Sequence, residues 1–281
     1  MSATDTPVWF ITGCSTGFGR EIAQHTLSLG YRVVVTARNP AQVEDLVSGN
    51  EDKALALKLD VTKPDEVAAA VKAAEERFGR IDVLVNNAGI GYFGSVEESE
   101  LDEVRRMFEI NVWGLSAMTR AVLPGMRKQR SGTIVNLSSI GGIRAFPSVG
   151  YYNATKFAVE GLSEALSQEV APLGIKVLLV EPSGFRTDWA GRSANDAPQT
   201  IDDYRSTSDK RAGEIREASG KQPGDPVRAA QAIVKAVEAK DPPLRLLLGK
   251  AALAGARGKV EALRKDFEAW ADVSEGADFP E

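Results

Sequence analysis

The sequence predicts an α/β fold: one doubly wound, mainly seven-stranded parallel sheet with helices on both faces. Three observations predict it. Short β-rich runs alternate with longer helical stretches along the chain. Several of those runs are continuously apolar, as strands covered on both faces of a parallel sheet must be. The chain has 281 residues, 43% hydrophobic and 26% charged, which suits one large domain with a substantial core.

The strands expected in order are "VWFIT" from Val8, "RVVVTA" from Arg32, "ALALKLDV" from Ala54 and "IDVLVN" from Ile81. Later come "GTIVNLS" from Gly132, "IKVLLVEP" from Ile175 and "LRLLLG" from Leu244. Helical stretches separate them. Pro64 to Phe78, for example, follows Thr62 as an N-cap and stops at Gly79. Repeated strand-then-helix units imply right-handed crossovers. The alternation breaks at 184–225, a polar, weakly periodic segment after the sixth strand, which reads as a substrate lid inserted into a single domain spanning 1–281. From about residue 251 the chain reads as an amphipathic helical extension ending in an acidic tail.

Composition excludes several classes. A net charge of −5 and a pI near 5.3 speak against nucleic acid or an anionic membrane as partner. No apolar run approaches the roughly 18 residues of a membrane span, and the opening "MSATDTPVWF" has no leader-like pattern. Cys14 is the only cysteine, so no intrachain disulfide forms and a cytoplasmic location is expected. With His25 the only histidine, no metal site and no histidine triad are expected. Proton chemistry here uses another residue type.

The first strand meets the first helix through "FITGCSTGFGREIAQ", with Gly13, Gly17 and Gly19. Glycines allow a tight turn and close backbone approach, and the following helix start offers free N–H groups to a pyrophosphate. Cys14 within the loop reads as a small space-filling residue. "LDVT" ends the third strand, where Asp60 can accept a hydrogen bond from an adenine amine, and "NNAG" (Asn86 to Gly89) ends the fourth. Asn86 either ties neighbouring loops together or contacts a ligand. Both motifs sit at the carboxyl edge, where open parallel sheets bind ligands.

Together, "TGCSTGFG", "NNAG", Asn111 in "INVWG", "VNLSS", "YNATK" and "PSGFRT" resemble the single-domain branch of the short-chain dehydrogenase/reductase family, over roughly Val8 to Thr187. The resemblance implies a Rossmann-type NAD(P)-binding domain. It implies cofactor contacts from Gly13, Ser15, Thr16, Gly17, Phe18 and Gly19, from Asp60 and Val61, and from Asn87, Ala88 and Gly89. Tyr152, Lys156, Pro182, Ser183, Phe185 and Thr187 complete that set. Ser183 departs from the family pattern, which usually has glycine there. The implied catalytic residues are Asn111, Ser139, Tyr152 and Lys156: Ser139 holds the substrate oxygen, and Asn111 anchors a water through which Lys156 exchanges protons. Asn111 as a simple stabiliser of a helix bend remains the other reading.

"GYYNATKFAVEG" supplies the physical reason for the pair. Residues four apart on a helix share a face, so Tyr152 and Lys156 meet in one cleft. A phenol has a pKa near 10, and an ammonium about 4 Å away is worth roughly 4 kcal/mol at an effective dielectric of 20. That lowers the phenol's pKa by about two to three. Tyr151 points to a different face and packs or lines the pocket.

The expected activity is oxidation or reduction between a ketone or aldehyde and an alcohol, with Tyr152 as acid/base. The alternatives are a catalytically silent dinucleotide sensor, which would have no need of all four catalytic residues, and an epimerase or dehydratase of the family's longer branch. A serine hydrolase lacks its Gly-x-Ser-x-Gly elbow here. NADP(H) is expected over NAD(H): Ala37 stands where an acid would grip the ribose 2′-hydroxyl, and Arg38 follows, with Glu44 the nearest carboxylate in the sequence. Tyr92, Phe93, Ile143, Phe146, Phe185 and Trp189 suggest an apolar substrate pocket or core packing. Self-association through the helices carrying "INVWG" and "YNATK" completes the expectations, as dimer or tetramer.

Overall fold

The computed structural model describes residues 6–279; the first five residues and the last two of the acidic tail lie outside the described part. Nine strands follow in chain order: β1 (Val8–Ile11), β2 (Arg32–Ala37), β3 (Ala54–Lys58), β4 (Val83–Asn86), β5 (Gly91–Phe93), β6 (Gly132–Leu137), β7 (Ile175–Pro182), β8 (Ala194–Asp196) and β9 (Arg245–Leu248). Seven form one parallel sheet in the order β3-β2-β1-β4-β6-β7-β9, while β5 and β8 pair as a separate short ribbon. All seven expected strands are present. The helices are α1 (Gly17–Ser28), α2 (Glu44–Val47), α3 (Pro64–Phe78), α4 (Leu101–Phe108), α5 (Leu115–Gln129), α6 (Gly150–Val170), α7 (Lys210–Glu217), α8 (Pro226–Glu238), α9 (Lys250–Ala269) and α10 (Ala271–Glu275).

Continuous apolarity in the strands reflects two cores, one on each face of the sheet. Along β1, Trp9 and Ile11 face a core shared with Ile22 of α1 and Ile233 of α8. Val8 and Phe10 face the other, shared with Val71 of α3 and Met118 of α5. Strand order reverses between β1 and β4, which opens a crevice at their carboxyl ends.

α3 corrects its expected cap. Lys63, extended at φ −110° and ψ 103°, is the N-cap, because the residue before Pro64 is forced out of the helical region. The Thr62 hydroxyl instead donates to Asp60 Oδ1 at 2.8 Å. Gly79 ends the helix in the left-handed region at φ +81°, as expected.

The polar segment 184–225 holds more regular structure than its pattern suggests: β8, α7 and short turns around Asp188–Ala190 and Asp202–Tyr204. Apart from Phe185, its buried apolar residues, Ala190, Ala194, Ala197 and Ala212, are small, so they leave little apolar signal. Arg216 of α7 binds the segment together, donating to the carbonyls of Ala190, Gly191 and Ala194 at 2.7 to 3.0 Å and pairing with Asp196.

Candidate active site

A cavity of about 950 Å³ runs along the carboxyl edge of the sheet. At one end lie Ala37, Arg38 and Asp60, following β2 and β3; the glycine loop and Asn87–Gly89 lie in the middle, and Ser139, Tyr152 and Lys156 stand at the other. Of the expected cofactor residues, Gly13, Ser15, Thr16, Gly17, Phe18, Arg38, Asp60, Val61, Asn87, Ala88 and Gly89 line it, as do Tyr152, Lys156, Pro182, Ser183, Phe185 and Thr187. Gly19 does not. It sits beneath the loop, where a Cβ would come within 2.4 Å of both Asn87 Nδ2 and Gly13 O, so its role is close packing.

The loop is built for close approach. Gly13 and Gly17 adopt φ +71° and +60°, conformations that side chains rarely tolerate. Asn87 Nδ2 donates to the carbonyls of Thr12 and Gly13, both at 2.9 Å. Thr12, which sequence reading passed over, is the other clamp: its hydroxyl oxygen accepts from the N–H groups of Asn87 and Ala88 at 2.9 and 3.0 Å. Phe18 packs edge-on against Phe185 at 5.2 Å, joining the loop to the turn after β7. No side chain caps the N-terminus of α1, leaving its first N–H groups directed at the cavity loop. A recess with this backbone and this helix start fits a dinucleotide. Asn86 proves to be a structural tie, donating to Thr119 Oγ1 and Asn136 Oδ1 at 3.1 and 2.9 Å. Cys14 is buried and inert: its thiol points at Ile11 O, and burial pushes it up to about 12.

Asp60 is held by the N–H and hydroxyl of Thr62. Burial works to raise its carboxyl, but these bonds, with Arg38 and Lys63 nearby, hold it below the usual range. The carboxylate that bears on Arg38 is therefore Asp60, brought across from β3, and not Glu44.

Tyr152 and Lys156 share one face of α6, and Ser139 lies beside the tyrosine ring: a Cβ at Gly141 would sit 3.4 Å from Ser139 Oγ and 3.5 Å from Tyr152 Cε1. Ser139, extended at the end of β6, accepts from Gly141 N at 3.0 Å. Ser138 turns the other way: its buried hydroxyl lies on the Glu160 side, where a Cβ at Gly142 would sit 2.7 Å from it and 2.9 Å from Glu160 Cγ. Lys156 Nζ donates to Leu137 O at 2.6 Å and stands 5.6 Å from the centre of the Tyr152 ring. The expected depression of the phenol is not what this arrangement produces. Burial pushes Tyr152 up to about 12, opposed only by the neighbouring Ser139 hydroxyl. Burial also pulls Lys156 down to about 8, with the Glu160 carboxylate resisting. Desolvation outweighs the pair's Coulomb attraction because both groups are almost fully inside.

Asn111 does not line the cavity. It lies in a π-helical turn, Glu109–Gly114, between α4 and α5, and its amide clamps both the N–H and the carbonyl of Ile90 at 2.9 Å. A third bond reaches Thr155 Oγ1 at 3.2 Å, so Asn111 ties the loop after β4 to α6.

Trp189, from the segment 184–225, lies 4.8 Å from the Tyr152 ring and 5.3 Å from Phe93. Phe146, Phe185 and Trp189 line the cavity, whereas Tyr92 and Phe93 are core residues of β5 and Ile143 packs beside α9. Tyr151 packs without lining the cavity. Arg106, Arg192, Arg211 and Glu214 also line the cavity, which is more polar than its aromatic residues suggest. Ser183 donates from both N–H and hydroxyl to Leu248 O, and fits because Gly249, at φ +95°, has no Cβ to meet it.

Behind Lys156 the same helix face continues to Glu160 and Glu164. Arg245 of β9 reaches Glu160 at 3.1 Å, Glu164 at 2.6 Å and the fully buried Glu181 at 3.5 Å. Burial, and then the neighbouring Glu160, pushes Glu181 up to about 8 against the pull of Arg245.

The geometry agrees with comparison. The short chain dehydrogenase family profile matches residues 7–198. The chain belongs to the short-chain dehydrogenase/reductase family. It is thereby an NAD(P)-dependent oxidoreductase, and the silent-sensor reading is not favoured. It is 40% identical over 270 residues to Oxidoreductase BOA17 of Botryotinia fuckeliana, covering 96% of this chain and 98% of that one. It is 41% identical over 240 residues to the 3-ketodihydrosphingosine reductase of Bacteroides thetaiotaomicron, covering 85% and 86%. The crystal structure of a short-chain dehydrogenase from Streptomyces avermitilis superposes with a TM-score of 0.92 at 41% identity, covering 98% of this chain and 99% of that one. Among the described residues no helix is long and apolar enough to cross a membrane.

Proposed function

We propose that this protein is an NADP(H)-preferring carbonyl reductase that interconverts a ketone or aldehyde and an alcohol. The observation that carries the reading is the convergence of Ser139 and Tyr152 on the cavity wall, with Lys156 Nζ 5.6 Å from the centre of the tyrosine ring. The bound cofactor supplies or accepts the hydride. Gly13, Gly17 and the start of α1 hold its phosphates, Asn87 to Gly89 and Asp60 flank it, and Lys156 and Thr187 lie at the end nearest Tyr152.

Ser139 donates a hydrogen bond to the substrate oxygen and fixes it beside Tyr152. Tyr152 gives its phenolic proton to that oxygen as negative charge develops, and the phenolate left behind is stabilised by the Lys156 ammonium. A phenol pushed up to about 12 keeps its proton at neutral pH, which supports the reductive direction. Lys156, at about 8, is still mostly protonated there. Asn111 positions the loop and helix around this pair. The aromatic wall of Phe146 and Trp189 supports an apolar group beside the carbonyl.

NADP(H) preference rests on Ala37 and on the exposed Arg38 at the cavity's far end. The segment 184–225 acts as a lid, since it supplies Trp189 to the tyrosine ring; the same hydrogen-exchange protection with and without ligands would exclude this. Exposed Trp113, Phe157 and Leu162, around the π-helical turn and on α6, support pairing with a second copy across these helices. A lone, buried, reduced cysteine supports a cytoplasmic location. The decisive test is a panel of ketones and alcohols assayed with NADPH and NADH. Turnover of none of them, with the cofactor still bound, would overturn the reading.

A further inference from the structure

The C-terminal extension presents a surface that the reaction does not use. α9 touches its own protein mainly through Ala252 and Ala256, which pack on Ile140, Ile143, Phe146 and Leu247. Beyond that anchor it leaves the body, and every residue from Arg264 to Trp270 is exposed. A helix that only covered its own domain would turn polar there. This one does not: Val260, Phe267, Trp270 and, in α10, Val273 are 64%, 67%, 65% and 64% exposed.

The order of these residues is informative. Past the anchoring Ala256, Val260, Leu263 and Phe267 follow at spacings of four, three and four, the apolar seam of a helix that packs along another helix, and Trp270 stands at the break before α10. Charge along the extension is polarised as well. Arg257, Lys259, Arg264 and Lys265 make its first part basic, with Glu261 the one acid among them. Asp266, Glu268, Asp272, Glu275 and Asp278 follow with no basic residue between them.

We propose that α9 and α10 form a self-association surface on which a second copy of this chain docks, with the two extensions antiparallel about a two-fold axis near Leu263. The pattern selects this occupant. A two-fold interface must be complementary to itself. Antiparallel pairing sets the basic part of each extension beside the acidic end of the other, whereas parallel pairing would stack like charges. The repeat supplies an apolar stripe for both copies at once. An anionic membrane would meet an acidic end exactly where the aromatic residues Phe267 and Trp270 are most exposed, so it is disfavoured. The surface is separate from the α5–α6 face and does not depend on the enzymatic reading.

The test uses the full chain. Light scattering after size exclusion should show the double variant Phe267→Ser/Trp270→Ser at half the wild-type mass, with association weakened about tenfold or more, as loss of aromatic anchors predicts. Circular dichroism should be unchanged, because both side chains are exposed. Orientation is read by cross-linking, since the native Cys14 is buried. Leu263→Cys should form a disulfide-linked dimer with itself, and Leu253→Cys should link when mixed with Val273→Cys but not alone. Unchanged mass in the double variant would overturn the proposal. So would self-linking of Leu253→Cys without that of Leu263→Cys, or loss of binding to anionic lipid vesicles with no change in mass.

Discussion

Replacing Glu181 with glutamine tests the electrostatics beneath α6. Glu181 is fully buried, and its two oxygens have no hydrogen-bond donor in position among the described residues. Arg245 Nε, at 3.5 Å, is shared with Glu160. A proton shared between the Glu181 and Glu160 carboxyls reconciles this with the rise of Glu181 from 4.5 to about 8. The sign follows directly. Between those two values the native protein keeps a proton that the unfolded chain has released, so stability falls as pH rises through the window and is level above it. At about 1.4 kcal/mol per pKa unit, the loss between pH 5 and pH 8 has a ceiling of roughly 4 kcal/mol. Glutamine is neutral at every pH and can donate N–H to Glu160 where the protonated acid donated O–H.

Glu181→Gln should therefore match the wild type near pH 5 and exceed it at pH 8 by about 1.5 to 4 kcal/mol, or several degrees in Tm. Urea unfolding of both proteins across this range is the assay. Other titrating groups act on both proteins alike and cancel in the difference. A constant difference from pH 5 to pH 8, or a variant less stable at pH 8, would refute a protonated Glu181.

The remaining predictions concern turnover and cofactor choice. Tyr152→Phe should lower kcat by about 10²-fold or more while cofactor titration is unchanged, whereas Tyr151→Phe stays near wild type; retention of over about a tenth of kcat by the first would remove Tyr152 from its role. Arg38→Ala should cost roughly 2–4 kcal/mol of NADPH binding and little with NADH, so equal losses would make Arg38 structural. With Lys156 at about 8, kcat/KM for reduction should fall as pH rises past that value and the ammonium is lost. A profile level to pH 10 would contradict it.

The seven main strands were legible because a strand covered on both faces must be apolar at every position. β5 and β8, three residues each, carry too little pattern to be seen, and α7 is held by one arginine and a few small residues. The motifs placed the cavity residues in chain order, since each lies just past a strand's carboxyl end. What they could not separate was contact from support. Gly19 and Asn111 belong to the same motifs as their neighbours, yet one packs under the loop and the other clamps Ile90. The electrostatics failed for a related reason. Spacing brings Tyr152 and Lys156 together, but the sign of the phenol's shift depends on burial, to which Trp189, distant in sequence and itself packed on Phe93, contributes.

That burial links the reactive tyrosine to the acidic cluster. Tyr152, Lys156, Glu160 and Glu164 occupy every fourth position of α6, so one stripe of the helix runs from the cavity to Arg245. A protonated lysine inside the protein is expensive, and Glu160 one turn further on offsets part of its desolvation. Glu160 then needs its own cation. Arg245, on the last strand of the sheet, serves it and Glu164 together, which leaves Glu181 without enough positive charge and favours its protonated form. Replacing Arg245 would strip the charge partner from buried Glu160 and alter the field at Lys156 through a residue that never touches the cavity. The last strand thus does more than extend the sheet: it supplies the cation that lets α6 keep a buried ammonium beside a phenol.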